Sequence, residues 1–305
     1  MSKIAYIFPG QGSQYVSMGK SFYDSSEEIK KIYLEANNIL GFDIAALSFE
    51  GPQEELTKTE NCQPAILLAS IAALIYFKNK FKDISPVFYA GLSLGEYTAL
   101  VAADSIVFND ALSLVRKRGQ LMEQAAAKNP GKMASVLGLD LDKVRMVCQK
   151  SAVETANINC PGQVVISGKH ELIEQAKGLL TAEGAKRIID LDVSGAFHSS
   201  LMMEAANALR VELDKINIKD AAVPVVSNVD GLPHLKAKDI KDNLVKQLYS
   251  SVYWQKCMEY MISAGVVKFF EVGPGKVLKG LARKIDENVQ VSNIEKSQDL
   301  ESLAV

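Results

Sequence analysis

Only three histidines, four cysteines and one tryptophan occur among the 305 residues. The cysteines (Cys62, Cys148, Cys160, Cys257) lie far apart, with no C-x-x-C pair. That spacing argues against a structural zinc site or a disulfide framework and makes reduced thiols the default. Cys62, next to Gln63-Pro64 and an Ala/Leu/Ile-rich segment, reads as a small buried residue. A basic surplus is missing as well: 34 Lys and Arg face 36 Asp and Glu, a net charge of -2. Nucleic-acid binders normally carry such a surplus, so that class is disfavoured. The longest apolar run, Ala65 to Phe77, contains Ser70 and is too short to cross a bilayer. The opening M-S-K-I-A-Y-I-F-P-G reads as a first strand and not as a signal peptide. What is present is core material: 48% hydrophobic and 23% charged residues, with no low-complexity segment or internal repeat. The expectation is a soluble, cytoplasmic globular protein.

Short strands alternate with helical patterns over the first 120 residues or so, which predicts a parallel sheet covered on both faces. Ile4–Phe8 and Val87–Ala90 read as strands. Helices are predicted over Glu27–Leu40, Pro64–Phe81, Gly95–Ala103 and Asp110–Ala127. From Met133 the rhythm becomes β-α-β-β-α-β, the ferredoxin-like order, ending with a strand over Lys186–Val193. The first kind of pattern then resumes with Leu201–Leu213, Val223–Asn228, Lys238–Leu248, Trp254–Ala264 and Val266–Val272. The fold class expected is α/β, with a large, mostly parallel domain (1–129 and 195–305) interrupted by a small ferredoxin-like one (130–194).

Candidate chemistry begins at A-G-L-S-L-G-E-Y, Ala90 to Tyr97. G-x-S-x-G is a weak pattern alone, but here a strand precedes it and a helix follows, as a nucleophilic serine on a sharp turn requires. Glycines on either side let strand and helix backbones approach, and the helix N-terminus offers N–H groups to an oxyanion. An ordinary strand-to-helix turn is the alternative. A serine nucleophile needs a base. His170 lies at a turn in the small domain and His234 in a loop-like G-L-P-H. His198, in V-S-G-A-F-H-S-S-L-M, is the only histidine placed where a strand ends and a helix begins in the large domain. No aspartate stands out to orient it; Asp190, Asp192 and Asp230 are equally available.

In the helix over Asp110–Ala127 the inward stripe is Ala111, Leu114, Val115, Arg118, Leu121 and Met122. Arg116 and Lys117 fall off it and read as solvated charges. A guanidinium on an apolar face must find an anion, because an unpaired buried charge costs several kcal/mol or more. An internal salt bridge and a substrate carboxylate held by the arginine fork both meet that need. F-P-G-Q-G-S-Q, Phe8 to Gln14, lacks the glycine spacing and G-K-[ST] ending of nucleotide loops. E-V-G-P-G-K, Glu271 to Lys276, reads as a structural turn. Lys276, Lys279 and Arg283 share the following helix face, where an acidic protein has room to dock.

Taken in order, these stretches resemble the malonyl-CoA:acyl carrier protein transacylase family. They are F-P-G-Q-G-S-Q, Q-P-A at Gln63, G-L-S-L-G-E, R-G at Arg118, N-I-N-C-P-G-Q-V-V-I from Asn157, A-F-H-S-S-L-M, Q-L-Y at Gln247 and F-E-V-G-P-G-K-V-L. The resemblance implies an α/β-hydrolase-like core with an inserted ferredoxin-like subdomain. It implies acyl transfer from malonyl-CoA to acyl carrier protein, through Ser93 as nucleophile and His198 as base. The backbone N–H groups of Gln11 and Leu94 would form the oxyanion hole, and Arg118 would bind the malonyl carboxylate. The Gln247 carbonyl would orient the imidazole. It further implies a cytoplasmic monomer with neither metal nor redox cofactor. Leu92 is a departure, since many members carry histidine before the nucleophile.

Overall fold

The computed structural model describes residues 3–301 and residue 303. Among the described residues ten strands form two separate sheets. The larger takes β1 (Lys3–Phe8), β2 (Phe88–Gly91), β7 (Val225–Val226), β8 (Pro233–His234), β9 (Val266–Val272) and β10 (Gln290–Ile294), in the order β10-β9-β1-β2-β7-β8. Every pair in it is parallel except β7 with β8. The smaller is antiparallel and takes β3 (Gly131–Leu137), β4 (Glu154–Cys160), β5 (Gln163–Lys169) and β6 (Arg187–Asp190), in the order β4-β5-β3-β6. With the helices Leu141–Ser151 and His170–Ala182 between strands, this is the β-α-β-β-α-β unit, and the fold class is the expected one.

Central β1 shows why the large sheet forms. Ala5, Tyr6, Ile7 and Phe8 are all fully buried, the unbroken apolar run of a parallel strand covered on both faces. On one face Tyr6 meets Phe77 edge-on at 5.5 Å and Phe270 at 5.7 Å. Phe77 belongs to the helix Thr59–Lys80, which is longer than the predicted Pro64–Phe81 at its start. By length and composition this helix could cross a membrane. Its apolar residues, Ala65 to Leu74 and Phe77, instead pack in the main core, because a helix apolar all round satisfies burial equally well inside a protein.

Pro64 lies inside that helix and has no N–H to give the carbonyl of Glu60. Arg116 Nη1 donates to that carbonyl at 2.7 Å, and Arg116 Nη2 pairs with the Glu60 carboxylate at 3.3 Å. Arg116 is therefore half-buried and structural, not the solvated charge expected of it. Its helix, Phe108–Lys128, lies so close that a Cβ on Gly119 would sit 2.6 Å from Glu60 Cα. That approach carries the adjacent Arg118 into the protein interior.

Two strands are shorter than predicted. β6 stops at Asp190, and Leu191 to Val193 turn away to line a cavity. β7 keeps only Val225 and Val226 of Val223–Asn228. The edge strand β10 has no counterpart in the sequence reading, because Q-V-S-N-I is polar at alternate positions and only partly buried.

Candidate active site

The site stands at the carboxyl ends of β1 and β2, where ligand crevices of open parallel sheets lie. β2 ends in Gly91, and the helix Leu94–Ala102 begins three residues later. A Cβ on Gly91 would fall 1.9 Å from the Gly95 backbone, and one on Gly95 would fall 2.2 Å from the Phe8 carbonyl oxygen. Both glycines are thus required for the turn to pack. Ser93 sits at its tip with φ 50° and ψ -101°, a conformation non-glycine residues avoid.

His198, itself at φ 56°, reaches the same point. Ser93 Oγ and His198 Nε2 are 2.9 Å apart, and His198 Nδ1 is 2.8 Å from the Gln247 carbonyl oxygen. A carbonyl only accepts, so Nδ1 carries the proton and Nε2 is left to accept from the Ser93 hydroxyl. Burial, then the nearby Arg118 charge, lower the imidazole pKa to about 4, with the Gln247 carbonyl opposing. The ring is therefore unprotonated at neutral pH, with Nε2 free to accept a proton. None of the three aspartates orients it. Asp190 pairs with Lys132 and Lys177, Asp230 pairs with His234, and Asp192 lines the cavity.

Arg118 is 1% exposed. Its Nη1 donates to Gln63 Oε1 at 2.7 Å; its Nη2 donates to Ser93 Oγ at 3.0 Å and Gln247 Oε1 at 3.1 Å. The guanidinium also lies over the Tyr97 ring, 5.3 Å from its centroid. Among the described residues no carboxylate forms an ion pair with it, and Nε has no hydrogen-bond partner. Burial lowers its pKa. The internal salt bridge that would account for a buried arginine is absent among the described residues, and neutral amides surround the charge instead.

A cavity of about 460 Å³ opens over this pair, with Gln11, Leu92, Met122, Met133 and Phe197 among its walls beside Ser93 and His198. Gln11 follows β1 in a turn packed on the serine turn, where a Cβ on Gly10 would lie 2.3 Å from the Leu92 carbonyl oxygen. Leu94 is the first residue of the helix. The Ser93 N–H is taken by Asn228 Oδ1 at 2.6 Å, so it is not a donor for the cavity.

Two further residues belong to the site and escaped the sequence reading. Asn228 follows β7 and ties the serine turn through its side chain, also donating Nδ2 to the Gly91 carbonyl at 2.8 Å. Glu96 is the one charge in the otherwise apolar helix L-G-E-Y-T-A-L-V-A and is 3% exposed. Its signal was present, since a buried carboxylate must be paired or hydrogen-bonded. At the other strand end, Glu271 accepts from the Leu278 and Lys279 N–H groups at 2.9 Å each. It caps the helix Val277–Ile285, which makes E-V-G-P-G-K the structural turn expected.

The His198 ring proton resonance, assigned by comparison with His198→Ala, should titrate with a midpoint near 4. A midpoint at or above the usual value of about 6.5 would contradict the buried, arginine-flanked environment.

Residues 5–296 match the family model described as acyl transferase domain. The malonyl CoA-acyl carrier protein transacylase of Bacillus subtilis (strain 168) is 46% identical over 306 residues, 99% of this chain and 96% of that one. The crystal structure of an acyl carrier protein S-malonyltransferase from Vibrio cholerae O1 biovar eltor superposes with a TM-score of 0.96. It is 39% identical and covers 99% of this chain and 100% of its own. A malonyl-transacylase in complex with a type II PKS acyl-carrier protein gives 0.95, also at 39% identity, covering 99% and 98%. The chain belongs to the acyl transferase domain family.

Proposed function

We propose that this acyltransferase moves the malonyl group from malonyl-CoA to the phosphopantetheine thiol of acyl carrier protein, supplying fatty-acid synthesis through a malonyl-serine intermediate. The observation that carries the reading is Arg118: a buried cation without a carboxylate partner, 3.0 Å from the hydroxyl of Ser93. A substrate carboxylate completes it. As a charged acceptor it draws the Nη2 donor more strongly than a hydroxyl does.

The chemistry follows from the proton positions. Ser93 Oγ attacks the thioester carbonyl while His198 Nε2 takes the hydroxyl proton. The negative charge on the former carbonyl oxygen is met by the N–H groups of Gln11 and Leu94. The C–S bond breaks, and coenzyme A leaves as a thiol with the proton from His198. In the second half the carrier thiol gives its proton to His198 and attacks malonyl-Ser93. Oγ then leaves and regains that proton. The reading places the protein in the cytoplasm, as a monomer needing no metal or redox cofactor.

For the carrier we propose the basic face beside the site. Gly275 packs against Ser13, which lies in the same turn as Gln11, so Lys276 stands next to the turn bordering the cavity. Lys276 precedes the helix Val277–Ile285 instead of lying within it; Lys276 and Lys279 line a groove of about 420 Å³. Arg283 is exposed one turn further along. An acidic carrier docked there would be steered by charge and held weakly.

Arg118→Ala should lower kcat/KM for malonyl-CoA by more than about 100-fold and for acetyl-CoA far less, because only the former loses a charge partner. Equal losses for both acyl groups would contradict the carboxylate role. Reversing charge in Lys276→Glu/Lys279→Glu should raise the KM for acyl carrier protein about tenfold while leaving malonyl-Ser93 formation from malonyl-CoA unchanged. An unchanged carrier KM would remove the docking face.

A further inference from the structure

Glu96 lies beneath the catalytic residues, yet it touches neither Ser93 Oγ, His198 nor Arg118. Its Oε2 accepts from the Gln247 side-chain Nε2 at 2.8 Å and from the Asn228 main-chain N–H at 3.0 Å. Gln247 and Asn228 between them hold every reactive group. Gln247 supplies its carbonyl to His198 and its Oε1 to Arg118, and its Nε2 also reaches the Ser93 carbonyl at 3.1 Å. Asn228 holds the Ser93 N–H and the Gly91 carbonyl.

We infer that Glu96 is a positioning residue, the acceptor that locks the Gln247 side-chain amide in one orientation and so aims Arg118 at the acyl group. The argument is one of donors and acceptors. A guanidinium only donates. The Gln247 amide lies between that donor and Glu96, so it must turn Oε1 toward Arg118 and Nε2 toward Glu96. Remove the acceptor at residue 96 and Nε2 keeps only the Ser93 carbonyl and a long contact of 3.4 Å to Asn228 Oδ1. The amide then loses the bond that fixes its plane, and Arg118 loses a fixed neighbour. Burial raises the Glu96 carboxyl to about 7, against the hydrogen bonds from Asn228, Gln247 and Ser227. A carboxylate with such a pKa is only weakly held as an anion, so its value here is as an acceptor of fixed geometry. The same bond to Asn228 steadies the serine turn, but that effect is common to every acyl donor.

The inference rests on the acyl-transfer reading, and its test separates the two. Rates of covalent loading from malonyl-CoA and acetyl-CoA would be measured for the wild type, Glu96→Leu and Glu96→Gln. Leucine fills the volume and removes the acceptor; glutamine keeps an acceptor oxygen facing Gln247 and Asn228. Glu96→Leu should lose about 100-fold in malonyl loading, the scale of an ångström of misplacement, and at least several-fold less in acetyl loading. Glu96→Gln should keep the malonyl-to-acetyl ratio within about threefold of the wild type, since the hydrogen-bond geometry survives. An unchanged ratio in folded Glu96→Leu would overturn the inference. So would a ratio more than about tenfold lower in Glu96→Gln, which decides the matter alone if the leucine variant does not fold. A wild type that loads no acyl group at all would instead overturn the acyl-transfer reading.

Discussion

The backbone of Gly95 lies against the Phe8 carbonyl with no room for one added carbon atom, and the geometry of the site depends on that contact. It brings the start of the helix Leu94–Ala102 onto the end of β1. The chain between Gly91 and Gly95 then has to turn sharply enough to force Ser93 to φ 50°. A strained residue persists only where its surroundings over-determine it. Here they do: Asn228 ties the serine N–H, Gln247 ties its carbonyl, and the core packs the strand and helix on either side. The turn that carries Gln11 packs on the serine turn, with Gly10 against the Leu92 carbonyl, so that Gln11 and Ser93 line one cavity.

Around that turn the electrostatics are built from neutral groups. Arg118 is buried among two glutamine side chains, a serine hydroxyl and an aromatic ring, with its nearest acid held off behind Gln247. Direct pairing with Glu96 would have been cheaper for stability, since a lone buried charge is costly. It would also have neutralised the cation before a carboxylate arrived. Burial, and after it the positive charge of Arg118, keeps His198 unprotonated, and the Gln247 carbonyl fixes which nitrogen is the base. Nucleophile, base and cation are thus mutually adjusted by one short network, in which three atoms of Gln247 make four hydrogen bonds, to Arg118, His198, Ser93 and Glu96.

Much of this was legible in the residues. Ser93 could be read because its motif sits between a strand and a helix. His198 followed from scarcity, being the one histidine of three at a strand-to-helix junction of the large domain. Arg118 was readable as a charge on an apolar stripe. Gln247 was not, because its decisive contribution is a main-chain carbonyl that any residue carries, and only family resemblance pointed to it. Asn228 and Glu96 lie far apart in the chain and meet only through β7 packing beside β2. Arg116 was misread as solvated because its task depends on a carbonyl orphaned by Pro64, 52 positions earlier, which no local periodicity reveals. β10 escaped because an edge strand needs only one apolar face.

Intact mass of the purified protein mixed with malonyl-CoA, alongside Ser93→Ala, tests the central claim most directly. The reaction would be run in chelator with no cofactor added. The account predicts a single malonyl adduct on the wild type alone, discharged when acyl carrier protein is supplied. Steady release of free malonate without a transferable adduct, or an adduct persisting in Ser93→Ala, would contradict it.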